Sequence, residues 1–242
     1  MNPSRLLRKI LKVFRIARYP ALLLPMRHGV AAGIDHATVL SHLRPVTIVD
    51  VGANVGQFSL MAAELHPSAR IYAFEPIPRA ADRFEKVFAS NPRVSIARCA
   101  IGESRRTDML HLSGRDDSSS LLPIAELQTS MHPETAEIGQ IKVEVKPLDQ
   151  ILTEADLGKP ALLKIDVQGA ELEVLKGCAS LLPHFDHIYV ELSFFEFYSG
   201  QPLCDEVIAW LADRQFALAG VYNLAADKEG VTVQADFLFA RR

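Results

Sequence analysis

A chain of 242 residues, 49% hydrophobic and 23% charged, is long enough for one α/β domain with a full core plus a short extension. Its formal net charge of −3 speaks against a nucleic-acid partner, which usually needs a basic face, and leaves a small-molecule or glycan substrate as the expectation. Cys99, Cys178 and Cys204 are widely spaced with no C-x-x-C pair, which indicates neither a zinc site nor a disulfide framework and suits reduced thiols in a cytoplasmic setting.

Residues 2–18 carry Arg5, Arg8, Lys9, Lys12 and Arg15 at helical spacing, with Leu7, Ile10, Leu11, Phe14 and Ala17 on the opposite side. Lys12 and Arg15 interrupt the apolar core of about 7 to 15 residues that a secretory signal needs. No other stretch reaches the roughly 20 apolar residues of a membrane span. Such a basic amphipathic helix either packs on the domain with its charges in water or touches an anionic membrane surface, which would put residues 1–18 at the inner face of the cell membrane. A connection over 19–26 and a helix over 37–43 follow, so residues 1–45 are expected to form an N-terminal helical extension and 46–242 the main domain.

Thr47 to Val51 is an apolar β-branched run. It turns through Gly52-Ala53-Asn54-Val55-Gly56 into the helical pattern Phe58, Leu60, Met61, Ala62 and Leu65. Gly52 and Gly56 permit backbone conformations and close approaches that a Cβ forbids, and Asn54 best tolerates a left-handed conformation among other residues. The spacing D-x-G-x-N-x-G differs from the G-x-G-x-x-G of dinucleotide folds. It resembles the first motif of S-adenosylmethionine (SAM) methyltransferases, with Asn54 where many members carry Gly. That likeness implies Asp50, Gly52, Asn54 and Gly56 around the amino-acid and sulfonium portion of the cofactor, with Phe58 opening the helix beside them.

Arg70 to Phe74 reads as a second strand with Glu75 at its C-terminal tip, where nucleotide folds place a carboxylate on the ribose hydroxyls. Pro76, expected beside Glu75 at the cofactor, and Pro78 favour a turn and a helix start before the amphipathic stretch Ala80 to Phe88. Arg93 to Arg98 reads as a third strand, followed by a small apolar turn in which an adenine ring could pack on Ala100 and Ile101. Short strands over 109–112 and 141–145 bracket a long polar segment containing Asp116 to Ser120 and His132-Pro133, a lid or a solvated loop.

Leu162 to Ile165 leads into Asp166-Val167-Gln168-Gly169-Ala170-Glu171, with Lys164 and Asp166 on one face of the strand. A lysine on a central strand needs a charged partner, for which Asp166, Asp50 and Glu191 are available. Glu171 suits the N-terminal dipole of the next helix. A further apolar strand, 187–193, ends around Glu191, and an aromatic cluster follows from Phe194 to Tyr198. A helix over 203–215 and two strands over 216–222 and 232–240 complete the chain as a hairpin.

In order, DVGANVGQF, FEP, the AIG turn, SSSL at Ser118 to Leu121, KIDVQGAE, YVELS and the closing DFLF resemble the FkbM-type methyltransferases from about Val46 to the C-terminus. The resemblance implies a Rossmann-like class I α/β fold, a mostly parallel seven-stranded sheet with a C-terminal antiparallel hairpin. It also implies SAM as methyl donor and O-methylation of a hydroxyl on a sugar, glycolipid or secondary metabolite. An alcohol acceptor must lose its proton, for which Asp166 and Glu191 are candidates as a base or as oxygen ligands of Mg²⁺. His111 and His132 are weaker candidates. A non-catalytic scaffold of the same fold and a nucleotide-cofactor oxidoreductase remain the alternatives, the latter without its usual glycine spacing.

Overall fold

The computed structural model describes residues 19–242; the basic helix expected over 2–18 lies outside the described residues. After 3₁₀ turns at Pro20–His28 and Ile34–His36 comes α1 (Ala37–His42). Then follow β1 (Thr47–Val51), α2 (Gln57–Leu65), β2 (Arg70–Phe74), α3 (Pro78–Phe88) and β3 (Val94–Ala97). A second set, β4 (Ala100–Ile101), β5 (Arg106–Ser113), α4 (Glu126–Met131) and β6 (Glu137–Lys146), precedes β7 (Ala161–Ile165) and α5 (Glu171–Lys176). The chain closes with β8 (His187–Ser193), α6 (Cys204–Ala212), β9 (Phe216–Ala226) and β10 (Thr232–Arg241).

Seven strands form one sheet in the order β3-β2-β1-β7-β8-β10-β9. It is parallel except at β10, which runs antiparallel to both β8 and β9. This is the class I methyltransferase arrangement, with the C-terminal hairpin wedging its last strand inside the edge. The strand order reverses direction beside β1, so the crevice opens at the carboxyl ends of β1 and β7, where open α/β sheets bind ligands.

The two middle strands are buried along their whole length, as expected when helices cover both faces of a parallel sheet. Val49, Val51, Leu163 and Ile165 point into one layer with Leu172, Leu175 and Val207, while Ile48 and Leu162 point into the other with Met61 and Phe84. Leu22, Val30, Ile34, Val39 and Leu40 belong to that second layer. The boundary drawn after residue 45 therefore marks where the motifs begin; it is not an edge of the core.

Two segments differ from the sequence expectation. Ala100 and Ile101 are not a free turn but a short strand, paired in parallel with Val145 and Lys146 in a separate three-stranded sheet, β4-β6-β5. The strands around the polar segment are longer than their apolar centres suggest, because β5 and β6 pair antiparallel from Arg106↔Val145 to Ser113↔Glu137. Between them the chain folds back over the crevice through 3₁₀ turns and α4.

Candidate cofactor and acceptor cleft

The β1–α2 loop is pinned before any ligand arrives. The Gly52 and Ala53 N–H groups donate to the Phe74 carbonyl at 3.1 and 3.0 Å, fastening the loop to the end of β2. Gly52 has φ 76°, and a Cβ there would lie 1.8 Å from the Asp166 carbonyl oxygen, so the close approach of the β1 and β7 ends requires glycine. Asn54 takes the left-handed conformation at φ 47°. Gly56, at φ 96°, is the N-cap of α2, and a Cβ there would meet Phe84 and Phe88 instead of the cleft.

Glu75 is the brace between two loops. Its Oε2 accepts the Asn54 N–H and its Oε1 the Ile77 N–H, both at 2.8 Å. Each oxygen keeps a second lone pair for ribose hydroxyls. Burial pushes the Glu75 carboxyl up to about 7, against the pull of those two amide donors and of Lys164.

Lys164 lies beneath the loop, 5% exposed at its side chain, with Nζ 3.1 Å from Asp50 Oδ1 and 3.6 Å from Asp166 Oδ2. It donates to the Gly52 carbonyl at 3.0 Å and stands over the Phe58 ring. Burial alone would lower its pKa, but Asp50 and Asp166 outweigh that and hold the ammonium charged. The pairing follows from register, since Asp50 and Lys164 are direct neighbours across β1 and β7.

Of the site residues expected from sequence, Gly52, Asn54, Phe58, Glu75, Pro76, Ala100, Ile101 and Asp166 line one cleft. Asp50 is fully buried behind its wall, held by Lys164 and by the Ser59 hydroxyl at 2.6 Å. It supports the lysine and offers no free face to a ligand. Glu191 also stands off the cleft wall, behind Gln168, whose Nε2 donates to Asp166 Oδ1 at 2.7 Å and to Glu191 Oε2 at 2.8 Å. Burial, and then the Asp166 charge, hold the Glu191 pKa well above the carboxylate range. Of the two acids, only Asp166 lines the cleft.

An amide N–H donor between the two acids is the opposite of what a cation needs, and among the described residues no group of three or more His, Cys, Asp or Glu could hold a metal ion. The arrangement does not fit Mg²⁺. SAM, by contrast, fits. Asn54 Oδ1 is buried without a hydrogen-bond partner, an acceptor for an ammonium or amide donor, and Gly52 leaves no room for anything but backbone beside it.

The polar segment after β5 forms the outer wall. Asp117, Ser119 and Leu121 line the cleft, and the Ser120 hydroxyl donates to the Gln168 carbonyl at 2.5 Å. The hydroxyl of Tyr198, from the aromatic cluster, stands 2.8 Å from Gln168 Oε1 and 3.0 Å from the Ser118 carbonyl, two acceptors that share its single proton. Gln168 holds φ 59°, a left-handed position costly for a side-chain residue and maintained by these contacts. Glu171, instead of serving only the helix dipole, accepts the Gly169 and Val167 N–H groups of the same loop at 3.0 and 3.3 Å. His111 pairs with Glu137 and lies off the cleft, as does His132.

Sequence reading missed His36. It lines the cleft, brought there by the Gly33 N–H bond to the Gln57 carbonyl at 2.7 Å. A lone histidine outside every motif carries no local signal.

A family model described as "Methyltransferase FkbM domain" matches residues 50–218. The 2-O-methyltransferase NoeI of Sinorhizobium fredii is 32% identical over 160 residues, covering 64% of this chain and 66% of that protein. The hexuronic acid methyltransferase AglP of Haloferax volcanii is 30% identical over 145 residues, covering 59% of this chain and 54% of that protein. The 31-O-demethyl-FK506 methyltransferase FkbM of Streptomyces tacrolimicus is 29% identical over 180 residues, covering 63% of each. The chain thus spans between 54% and 66% of the length of these relatives.

Proposed function

The chain belongs to the FkbM family of SAM-dependent methyltransferases, and from that premise we propose that it transfers the methyl group of SAM to a hydroxyl of a sugar, glycolipid or secondary metabolite. The observation that carries the reading is the cradle itself: a glycine loop against the end of β7, a buried unpartnered Asn54 oxygen and a Glu75 carboxyl in one cleft. The oxygen-directed names of NoeI and FkbM and the hexuronic acid in that of AglP support a hydroxyl on a sugar or natural product.

When bound, SAM supplies an electrophilic methyl carbon on a sulfonium, so the protein's task is binding, orientation and proton removal. Asn54 and the Gly52 backbone hold the amino-acid end, Glu75 accepts the ribose hydroxyls, and Ala100 and Ile101 give the adenine an apolar wall. Asp166 is the carboxylate at the reacting end, where it assists loss of the acceptor's proton. Lys164 keeps that carboxylate in place and balances its charge. The segment 117–121 excludes water from the outer side. Residues 1–18 are proposed to attach the protein to anionic lipid or a partner, on the strength of their segregated charges.

The test is incubation with methyl-labelled SAM and a panel of uronic-acid and neutral oligosaccharides, glycolipids and metabolite extracts. Label is expected in an alkali-stable methyl ether with one S-adenosylhomocysteine per methyl. Label appearing only on nitrogen or carbon, or none from a protein that binds SAM, would reject O-methylation.

A further inference from the structure

His36 reaches the cleft with its ring already oriented. Its Nδ1 faces the Tyr189 hydroxyl at 3.1 Å and Asp236 Oδ2 at 3.5 Å. Tyr189 in turn donates to Asp236 Oδ2 at 2.7 Å, and Asn223 Nδ2 donates to the same oxygen at 2.7 Å. Tyr189 is 2% exposed and Asp236 8%, so these are committed, buried interactions.

Counting protons assigns the tautomer. A tyrosine hydroxyl has one proton, and the short contact to a carboxylate takes it. Asn223 Nδ2 also lies 3.4 Å from Nδ1, but its two protons have nearer acceptors in Asp236 Oδ2 at 2.7 Å and the Tyr189 oxygen at 3.3 Å. The hydroxyl oxygen and Asp236 Oδ2 are then both acceptors facing the histidine, so Nδ1 carries the imidazole proton and Nε2 keeps its lone pair. Among the described residues Nε2 has no hydrogen-bond partner. Phe58 meets the ring edge-on at 5.3 Å between centroids, fixing its plane.

The surrounding charges set its state. Burial lowers the His36 pKa from the ordinary histidine value and Lys164 adds to that, opposed by Asp236, Asp166 and the neighbouring Asp35. The ring is neutral at pH 7, yet any charge it gains faces Asp236 and Asp166. A neutral imidazole with a bare nitrogen and acids placed to stabilise its charged form is the arrangement a general base requires.

We propose that His36 Nε2 is the group that receives the acceptor's proton, with Tyr189 and Asp236 as positioning residues and Asp166 assisting through its charge. The inference rests on the methyl-transfer reading above. As the acceptor oxygen bonds to the methyl carbon, the S–CH₃ bond leaves its electron pair on sulfur, the O–H bond breaks and its proton passes to Nε2. The imidazolium then returns the proton to water. His36, Asn223 and Asp236 all lie outside residues 50–218, so this base is assembled from both flanks of the matched domain.

Histidine-selective ¹⁵N NMR, with the His36 signals assigned by the His36→Gln variant, reads the tautomer without any acceptor. An Nδ1–H ring with bare Nε2 at pH 7 is expected; an Nε2–H tautomer or an imidazolium overturns the proposal. Methyl transfer to the oligosaccharide panel is read alongside. His36→Gln is expected to keep wild-type SAM affinity by calorimetry, to lower kcat by about 10²- to 10⁴-fold and to lose the acidic limb of the pH profile. Turnover of His36→Gln within threefold of wild type overturns the assignment while leaving methyl transfer intact. A wild-type protein that fails to bind SAM rejects the methyl-transfer reading instead.

Discussion

Glu75 carries two duties that compete at the same oxygens. It braces the cofactor loop through two backbone amides, and it would accept the ribose hydroxyls as a carboxylate. Burial sets its pKa at about 7 in the folded protein, so below that pH SAM must displace a proton to bind. SAM affinity is expected to fall by up to tenfold per pH unit below about 7 and to level off above it; calorimetry across that range giving a flat line would remove Glu75 from the ribose. Asp166→Asn tests the other end of the cleft. It is expected to lower turnover by about 10²-fold or more with SAM affinity near wild type, whereas a purely structural Asp166 would lose stability or cofactor binding first. At this scale the sequence was informative where spacing was local. Gly52, Asn54 and Glu75 announce themselves within one strand–loop–helix unit and the next strand tip. It was silent where contacts are distant: His36 meets Tyr189 across 153 residues and Asn223 across 187. No periodicity records such a meeting. Asp50 and Glu191 end up behind the wall because side-chain direction at a strand end depends on neighbouring register, which the chain alone does not display.

Among the elements, β7 ties the site together, since Lys164 on it pairs with Asp50 on β1, and the loop leaving it carries Asp166 and Gln168. Replacing Lys164 by Met would leave Asp50 buried without its cation. A loss of about 3–5 kcal/mol is expected from breaking one side of a buried pair, measured as a lower denaturant midpoint with unchanged slope; stability within 1 kcal/mol of wild type would mean that Ser59 alone satisfies Asp50. The expectation that Lys164 needs an acid was legible from alternation along a central strand, and β1–β7 adjacency selected Asp50 together with Asp166. The short β4 was not legible. Two residues paired with Val145 and Lys146, more than forty positions later, look from sequence like any small apolar turn. The outer wall was legible only as a long polar segment, because its attachment depends on Tyr198 and Ser120 meeting Gln168.

For the molecule as a whole, the cluster of buried acids gives stability a pH dependence of definite sign. Burial raises Glu75 and Glu171 from 4.5 to about 7, so between those values the folded state binds more protons than the unfolded chain. Stability is therefore fully present below about 4.5 with respect to these groups and declines as pH rises toward 7, by about 3 kcal/mol for each group. Glu171→Gln, whose amide oxygen can still accept the Gly169 and Val167 N–H groups, is expected to flatten that decline in thermal melts; an unchanged pH slope would mean that Glu171 is not the source. Packing of Leu22 to Leu43 into the core separates two truncations. Removal of residues 1–18 should leave the fold and SAM binding intact and abolish co-sedimentation with anionic vesicles, while removal of 1–45 should unfold the protein. The overall architecture was legible because alternating strand and helix patterns with acids at strand tips leave few topologies open; the inclusion of residues 22–43 in the core was not, since their apolar residues follow no regular period. The claim on which the rest depends is that this cleft binds SAM with Glu75 on the ribose. Calorimetric titration of SAM into the wild-type protein and Glu75→Ala, above pH 7, is its most direct measurement. One site per chain, weakened by about 1–3 kcal/mol in the variant, is the expected result, and a folded wild-type protein that takes up no SAM, or equal affinity in both, would defeat it.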